Sequence, residues 1–96
     1  MWYILKYKKP IKATIEEYSK WISKNPKQKV VKQELINDSK VSTVFLGLDH
    51  SWENNVPILW ETMIFGGKED MYQDRYTSYK EALVGHEKAV NLVKNE

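Results

Sequence analysis

An α+β domain, with an antiparallel sheet covered on one face by two helices, is the architecture this chain predicts. Three observations carry it. Thr14 with Glu17 and Ser78 with Glu81 have the spacing of capping boxes, each opening an amphipathic stretch. Runs rich in β-branched and aromatic residues lie before and between those stretches, and polar turns or the pair Gly66-Gly67 separate them. The resulting order is β-α-β-β-β-α, and two amphipathic helices need a common sheet face to bury their apolar stripes.

Residues 2 to 8 alternate weakly and stop at Pro10, which reads as a strand. Thr14 then caps a short helix whose apolar residues Ile15, Tyr18, Trp21 and Ile22 recur at helical spacing until Asn25-Pro26 ends it. Val30 to Ile36 and Val41 to Leu48 form a hairpin around the polar turn Asn37-Asp38-Ser39. The polar loop 49–55 leads into a third strand of the meander, Pro57 to Phe65. Residues 68 to 75 are polar and expected to be irregular. The last helix runs to about Lys94, with Tyr79, Ala82, Leu83, Ala89, Val90 and Val93 as its stripe. Across 96 residues no repeat, low-complexity tract or Gly/Ser/Pro-rich linker marks a boundary, so 1–96 is read as one domain. Its core is small, and dimerisation would enlarge it.

Composition narrows the functional classes. No apolar run approaches 18 residues, which excludes a membrane-spanning helix. The N-terminus lacks the order of a secretory signal and there is no cysteine, so thiolate metal sites and disulfides are excluded and an intracellular address is expected. The net charge of +2 hides a dipolar distribution. Residues 1–40 hold ten lysines against four carboxylates, whereas residues 41–96 hold five basic residues against nine acidic ones. The lysine-rich half, with Trp2, Tyr3, Tyr7, Tyr18 and Trp21, offers a surface for nucleic acid. Its lysines are spread over a strand, a helix and a loop, so a solvated face over ordinary core aromatics is the stronger reading.

The chemistry-bearing candidates lie in the second half. His86, four residues from both Ala82 and Val90, should face the sheet and must satisfy a donor and an acceptor there. Gly85 beside it carries a helix cost that suggests a close approach. Alternation puts Glu61 on the face of Leu59, Met63 and Phe65, where a carboxylate needs a partner. Arg75, the single arginine, is suited to grip a carboxylate or an anion with its planar fork. Asp49, His50, Glu61, Arg75 and His86 could therefore converge near one end of the sheet, and these five together with Tyr76 are the ligand-binding candidates. They contain the ingredients of acid–base chemistry or of a two-histidine, carboxylate metal site. No H-E-x-x-H, G-x-S-x-G, Walker or G-x-G-x-x-G spacing accompanies them, so no catalytic residue, metal or cofactor is assigned.

Three blocks, Val41-Ser-Thr-Val-Phe-Leu-Gly-Leu-Asp-His50, Pro57-Ile-Leu-Trp-Glu-Thr-Met-Ile-Phe-Gly-Gly67 and Arg75-Tyr-Thr-Ser-Tyr-Lys-Glu-Ala-Leu-Val-Gly-His86, resemble in order and spacing a family of small proteins encoded by tailed bacteriophages and prophages. The resemblance covers about half the chain and implies a phage origin and the host bacterial cytoplasm, but no reaction. The leading expectation is an accessory protein that binds a host protein or a small anionic ligand, counter-defence being one such use. A small hydrolase or metal-dependent enzyme built on Glu61, His86 and Arg75 is the alternative, and nucleic-acid binding through the lysine-rich half is a third.

Overall fold

The computed structural model describes residues 1–52 and 56–96. Its architecture is α+β, with two antiparallel sheets and two helices. The chain begins with a hairpin of β1 (Trp2–Lys6) and β2 (Lys9–Ala13), in register from Trp2 opposite Ala13 to Lys6 opposite Lys9. Its two-residue turn places Tyr7 and Lys8 at φ 52° and 65°, a left-handed pair usually taken by Asn-Gly. The lysines and Pro10 hide β2 from a reading based on alternation, yet they suit an exposed edge strand by discouraging further pairing.

Helix α1 (Ile15–Lys24) starts at Thr14, whose side chain accepts from the Glu17 N–H while the Glu17 carboxylate accepts from the Thr14 N–H, the expected capping box. A 3-10 turn, Pro26–Lys29, leads into β3 (Val30–Ile36). Together β3, β4 (Ser39–Phe45), β5 (Trp60–Phe65) and β6 (Gln73–Tyr76) form a simple four-stranded meander in that order. Helix α2 (Tyr79–Lys94) packs across all four strands.

Several boundaries differ from the sequence reading for local reasons. The expected strand Val41 to Leu48 stops at Phe45 because the chain turns at Gly47, φ 80°. The third strand begins at Trp60 instead of Pro57. The polar stretch expected to be irregular ends in β6, where Asp74 and Arg75 pair opposite Thr62 and Glu61. Of the expected polar loop 49–55, residues 53–55 lie outside the described residues.

Alternation sorts the sheet into two faces. Val41, Thr43 and Phe45 of β4, Trp60, Thr62 and Ile64 of β5, and Tyr76 of β6 are buried on the α2 side. Lys40, Ser42, Val44, Glu61, Met63, Phe65, Gln73 and Arg75 point to the opposite, outer face. The core comprises two apolar clusters. One gathers Tyr3, Leu5, Phe45, Leu59, Trp60, Tyr76 and Ala82, with Trp21 packed against it, so α1 and the N-terminal hairpin close that end of the sheet. The other contains Val41, Ile64, Ala89, Val90 and Val93. An aromatic ladder, Trp2–Tyr18–Trp21–Phe45–Trp60, has successive centroids 4.7, 6.0, 5.8 and 5.5 Å apart and ties α1 to the sheet.

Candidate functional site

Between the two apolar clusters lies a polar layer. His86 is 0% exposed, as its position on the α2 stripe predicts, and both of its ring nitrogens are engaged. Nδ1 is 2.7 Å from Thr43 Oγ1, which is itself 2.6 Å from Thr62 Oγ1. Nε2 is 2.9 Å from Glu34 Oε1. With a neutral ring, one direction gives each of these protons an acceptor: Thr62 donates to Thr43, Thr43 to Nδ1, and Nε2–H to the Glu34 carboxylate. Carboxylate, imidazole and hydroxyl thus stand in the sequence of a nucleophilic triad. Thr43 and Thr62 are both fully buried, however, so no substrate carbonyl reaches either hydroxyl.

Gly85 has a concrete reason to be glycine. A Cβ at that position would overlap the phenol of Tyr76, which crosses the helix there. The Tyr76 hydroxyl is buried without a hydrogen-bond partner among the described residues. Burial raises its pKa, and the Asp74 carboxylate nearby adds to that.

At the solvent edge of the layer, Glu34 and Glu87 share Lys32, whose Nζ lies 3.4 and 3.1 Å from their oxygens. The His86 hydrogen bond, opposed by some desolvation and aided by Lys32, holds the Glu34 carboxyl below the ordinary range. The Glu87 hydrogen bond, with Glu34 beside it, raises the Lys32 pKa. Glu34, His86 and Glu87 each place a ligand atom within 4.8 Å of the others, a set able to hold a divalent cation. The tethered ammonium of Lys32 already supplies the positive charge those carboxylates face.

The five candidates expected to meet near one end of the sheet do not converge. Glu61 and Arg75 pair on the outer face, Nε to Oε2 at 2.9 Å, and Gln73 Nε2 donates to the same oxygen at 2.7 Å. His86 and Tyr76 lie on the helix side, so the sheet separates Glu61 from His86 and no single substrate reaches both. The expected pocket fails because β5 alternates with Thr62, not Glu61, toward α2. Met63 and Phe65 share a face with Glu61, as alternation predicts, but that face is the outer one.

Asp49 is fixed by the loop after β4. Burial works against its charge, but hydrogen bonds from the Ser51 N–H and hydroxyl and from the Ile58 N–H prevail and lower its pKa. His50 donates its backbone N–H to the Ile58 carbonyl across the same loop.

Sequence reasoning missed Glu34 as the partner of His86. The available signal was parity: Glu34 is two residues from Ile36, which packs on the α2 side.

It also missed the basic cleft. The β1–β2 turn, the 3-10 turn and the start of α2 enclose about 650 Å³ lined by Lys6, Tyr7, Lys8, Gln28 and Tyr79 over a floor that includes Leu5 and Val31. That volume falls in the range of small-ligand clefts. None of the described residues lining it is acidic. The Lys8 ammonium stands 5.1 Å above the centre of the Tyr79 ring, an exposed cation–π contact of about 0.5–1 kcal/mol. Of the aromatics in the lysine-rich half, Tyr3 is buried and Trp2, Tyr18 and Trp21 belong to the ladder, whereas Tyr7 is 90% exposed.

The fold and these sites describe a small α+β domain with a sealed polar core and an open basic cleft. Comparison with protein-family models, curated proteins and solved structures found no match to the chain. No helix among the described residues is long and apolar enough to cross a membrane.

Proposed function

We propose that this chain is a phage accessory protein of the host bacterial cytoplasm that acts by stoichiometric binding, and that a small anionic ligand occupies the cleft between the β1–β2 turn and α2. The phage origin rests on the resemblance of the blocks between Val41 and His86. The observation that carries the binding reading is the lining of the cleft: two lysines and two tyrosines over an apolar floor, with no carboxylate among the described residues that line it. The His86 network then serves as the scaffold that fixes α2 on the sheet, since its polar atoms are turned inward and satisfied.

Calorimetric titration of the full chain with pyrophosphate tests this reading. Saturable binding that weakens at least about tenfold in Lys6→Glu/Lys8→Glu, with Lys94→Ala unchanged, supports it. Indifference to the charge reversal overturns it.

The outer sheet face favours a second reading, a homodimer. There Leu35 is 83% and Phe65 45% exposed, and both pair with Lys40 in one cross-strand row. A concentration-dependent mass in light scattering that Leu35→Asp shifts to the monomer would support it, and a constant monomer mass would dismiss it.

A further inference from the structure

Resting on the cleft as the ligand site, we infer that its occupant carries a planar ring as well as a phosphate, which makes the chemical class a mononucleotide. Two kinds of group line the cleft, and a bare anion uses only one of them. Lys6 and Lys8 supply positive charge. Tyr7 and Tyr79 supply ring faces from two separate elements, the β1–β2 turn and the first turn of α2. Tyr7 is 90% exposed, on a turn where it and Lys8 both take left-handed backbone.

Tyr79 is half-buried with its ring face taken by the Lys8 ammonium. A cation on an aromatic face is a weak placeholder at an exposed site, so an incoming base replaces it by stacking. The displaced ammonium then lies beside the ligand and pairs with its phosphate, so one movement of Lys8 satisfies both halves of the molecule. Gln28, on the 3-10 turn, also lines the cleft; its Nε2 donates to Asn25 Oδ1 at 3.2 Å, which leaves its second N–H and its carbonyl oxygen for a base edge or a ribose hydroxyl. About 650 Å³ accommodates one nucleotide and not a folded strand.

The test is titration of the full chain with adenosine, guanosine and uridine diphosphates, with pyrophosphate and adenosine as the separated halves, and with a twelve-residue oligothymidylate. At least one diphosphate should bind about tenfold or more tightly than either half, and Tyr79→Ala and Lys8→Ala should each remove about tenfold, with circular dichroism showing each variant folded at the titration temperature. Tyr79→Phe should retain binding, since it keeps the ring. Pyrophosphate binding as tightly as every diphosphate overturns this inference and leaves the anion cleft standing. Binding by none of the probes overturns both. Affinity confined to the oligonucleotide and falling steeply with salt replaces both with strand recognition.

Discussion

Replacing Thr43 with valine tests the polar layer at its centre. The substitution nearly keeps the side-chain shape but deletes the hydroxyl that lies 2.6 Å from Thr62 Oγ1 and 2.7 Å from His86 Nδ1. Both partners are fully buried, so neither finds water after the change. Each orphaned polar group costs roughly 1–3 kcal/mol, which puts the loss for the two at about 2–6 kcal/mol with no sizeable cavity term. With a urea m-value of about 1.5 kcal/mol/M, a 3 kcal/mol loss lowers the midpoint by about 2 M. Ser42→Ala is the internal control. That neighbouring residue faces the other side of the sheet and accepts a 2.9 Å hydrogen bond from Gln33, an exposed side chain that turns to solvent when its partner is removed. It should cost at most about 1 kcal/mol. Equal midpoints for the two variants would refute the argument that the Thr62–Thr43–His86 chain holds α2 on the sheet.

Gly85→Ala should destabilise the fold by about 1–2 kcal/mol despite the better helix propensity of alanine, because the new methyl displaces the Tyr76 ring. In a Tyr76→Leu background the same change should become neutral or stabilising, and thermal denaturation of the four proteins checks the sign. Glu34 has its pKa lowered in the fold, chiefly by His86, so it contributes stability above the ordinary carboxylate pKa of about 4.3 and loses it as pH falls through the lower folded value. Glu34→Gln should therefore show a shallower fall in urea midpoint below about pH 5 than wild type, and parallel curves would count against the pairing. Arg75→Ala and Glu61→Gln, on the outer face, should each cost under about 1.5 kcal/mol with a coupling of about 0.5–1 kcal/mol. The ring resonances of His86 should stay unshifted in either variant, because the sheet lies between; a shift would mean that the two sites communicate.

Much of the architecture was legible because local signals agreed with the global fold. Thr14 and Glu17 form the reciprocal cap their spacing predicts. Ser78 also caps α2, although the Glu81 carboxylate reaches back to the N–H and hydroxyl of Thr77, which hold its pKa low, so the second box is only half formed. His86 was placed inward by its spacing from Ala82 and Val90, and that held because a helical period fixes direction without any knowledge of the neighbours. Leu83, by contrast, belongs to the expected stripe but is 39% exposed, since the face that meets the sheet centres on Ala82, His86 and Ala89. β2 was illegible because its lysines and Pro10 carry no alternation, and its partner strand supplies the hydrogen bonds.

The chain by itself determined both helices and the strands that carry an apolar pattern, though not β2 or β6, and also that His86 turns inward and that Arg75 is equipped to hold a carboxylate. These follow from periodicity, capping and the cost of unpaired charge, all properties of a few consecutive residues. Tertiary structure alone decided which face of β5 meets α2, and hence that Glu61 takes Arg75 while Glu34, far away in sequence, takes His86. It alone also brought Lys6, Tyr7 and Lys8 beside Tyr79 across some seventy residues of chain. The physical reason is that a strand has two equivalent faces until packing chooses between them, and a cleft exists only where separate elements meet.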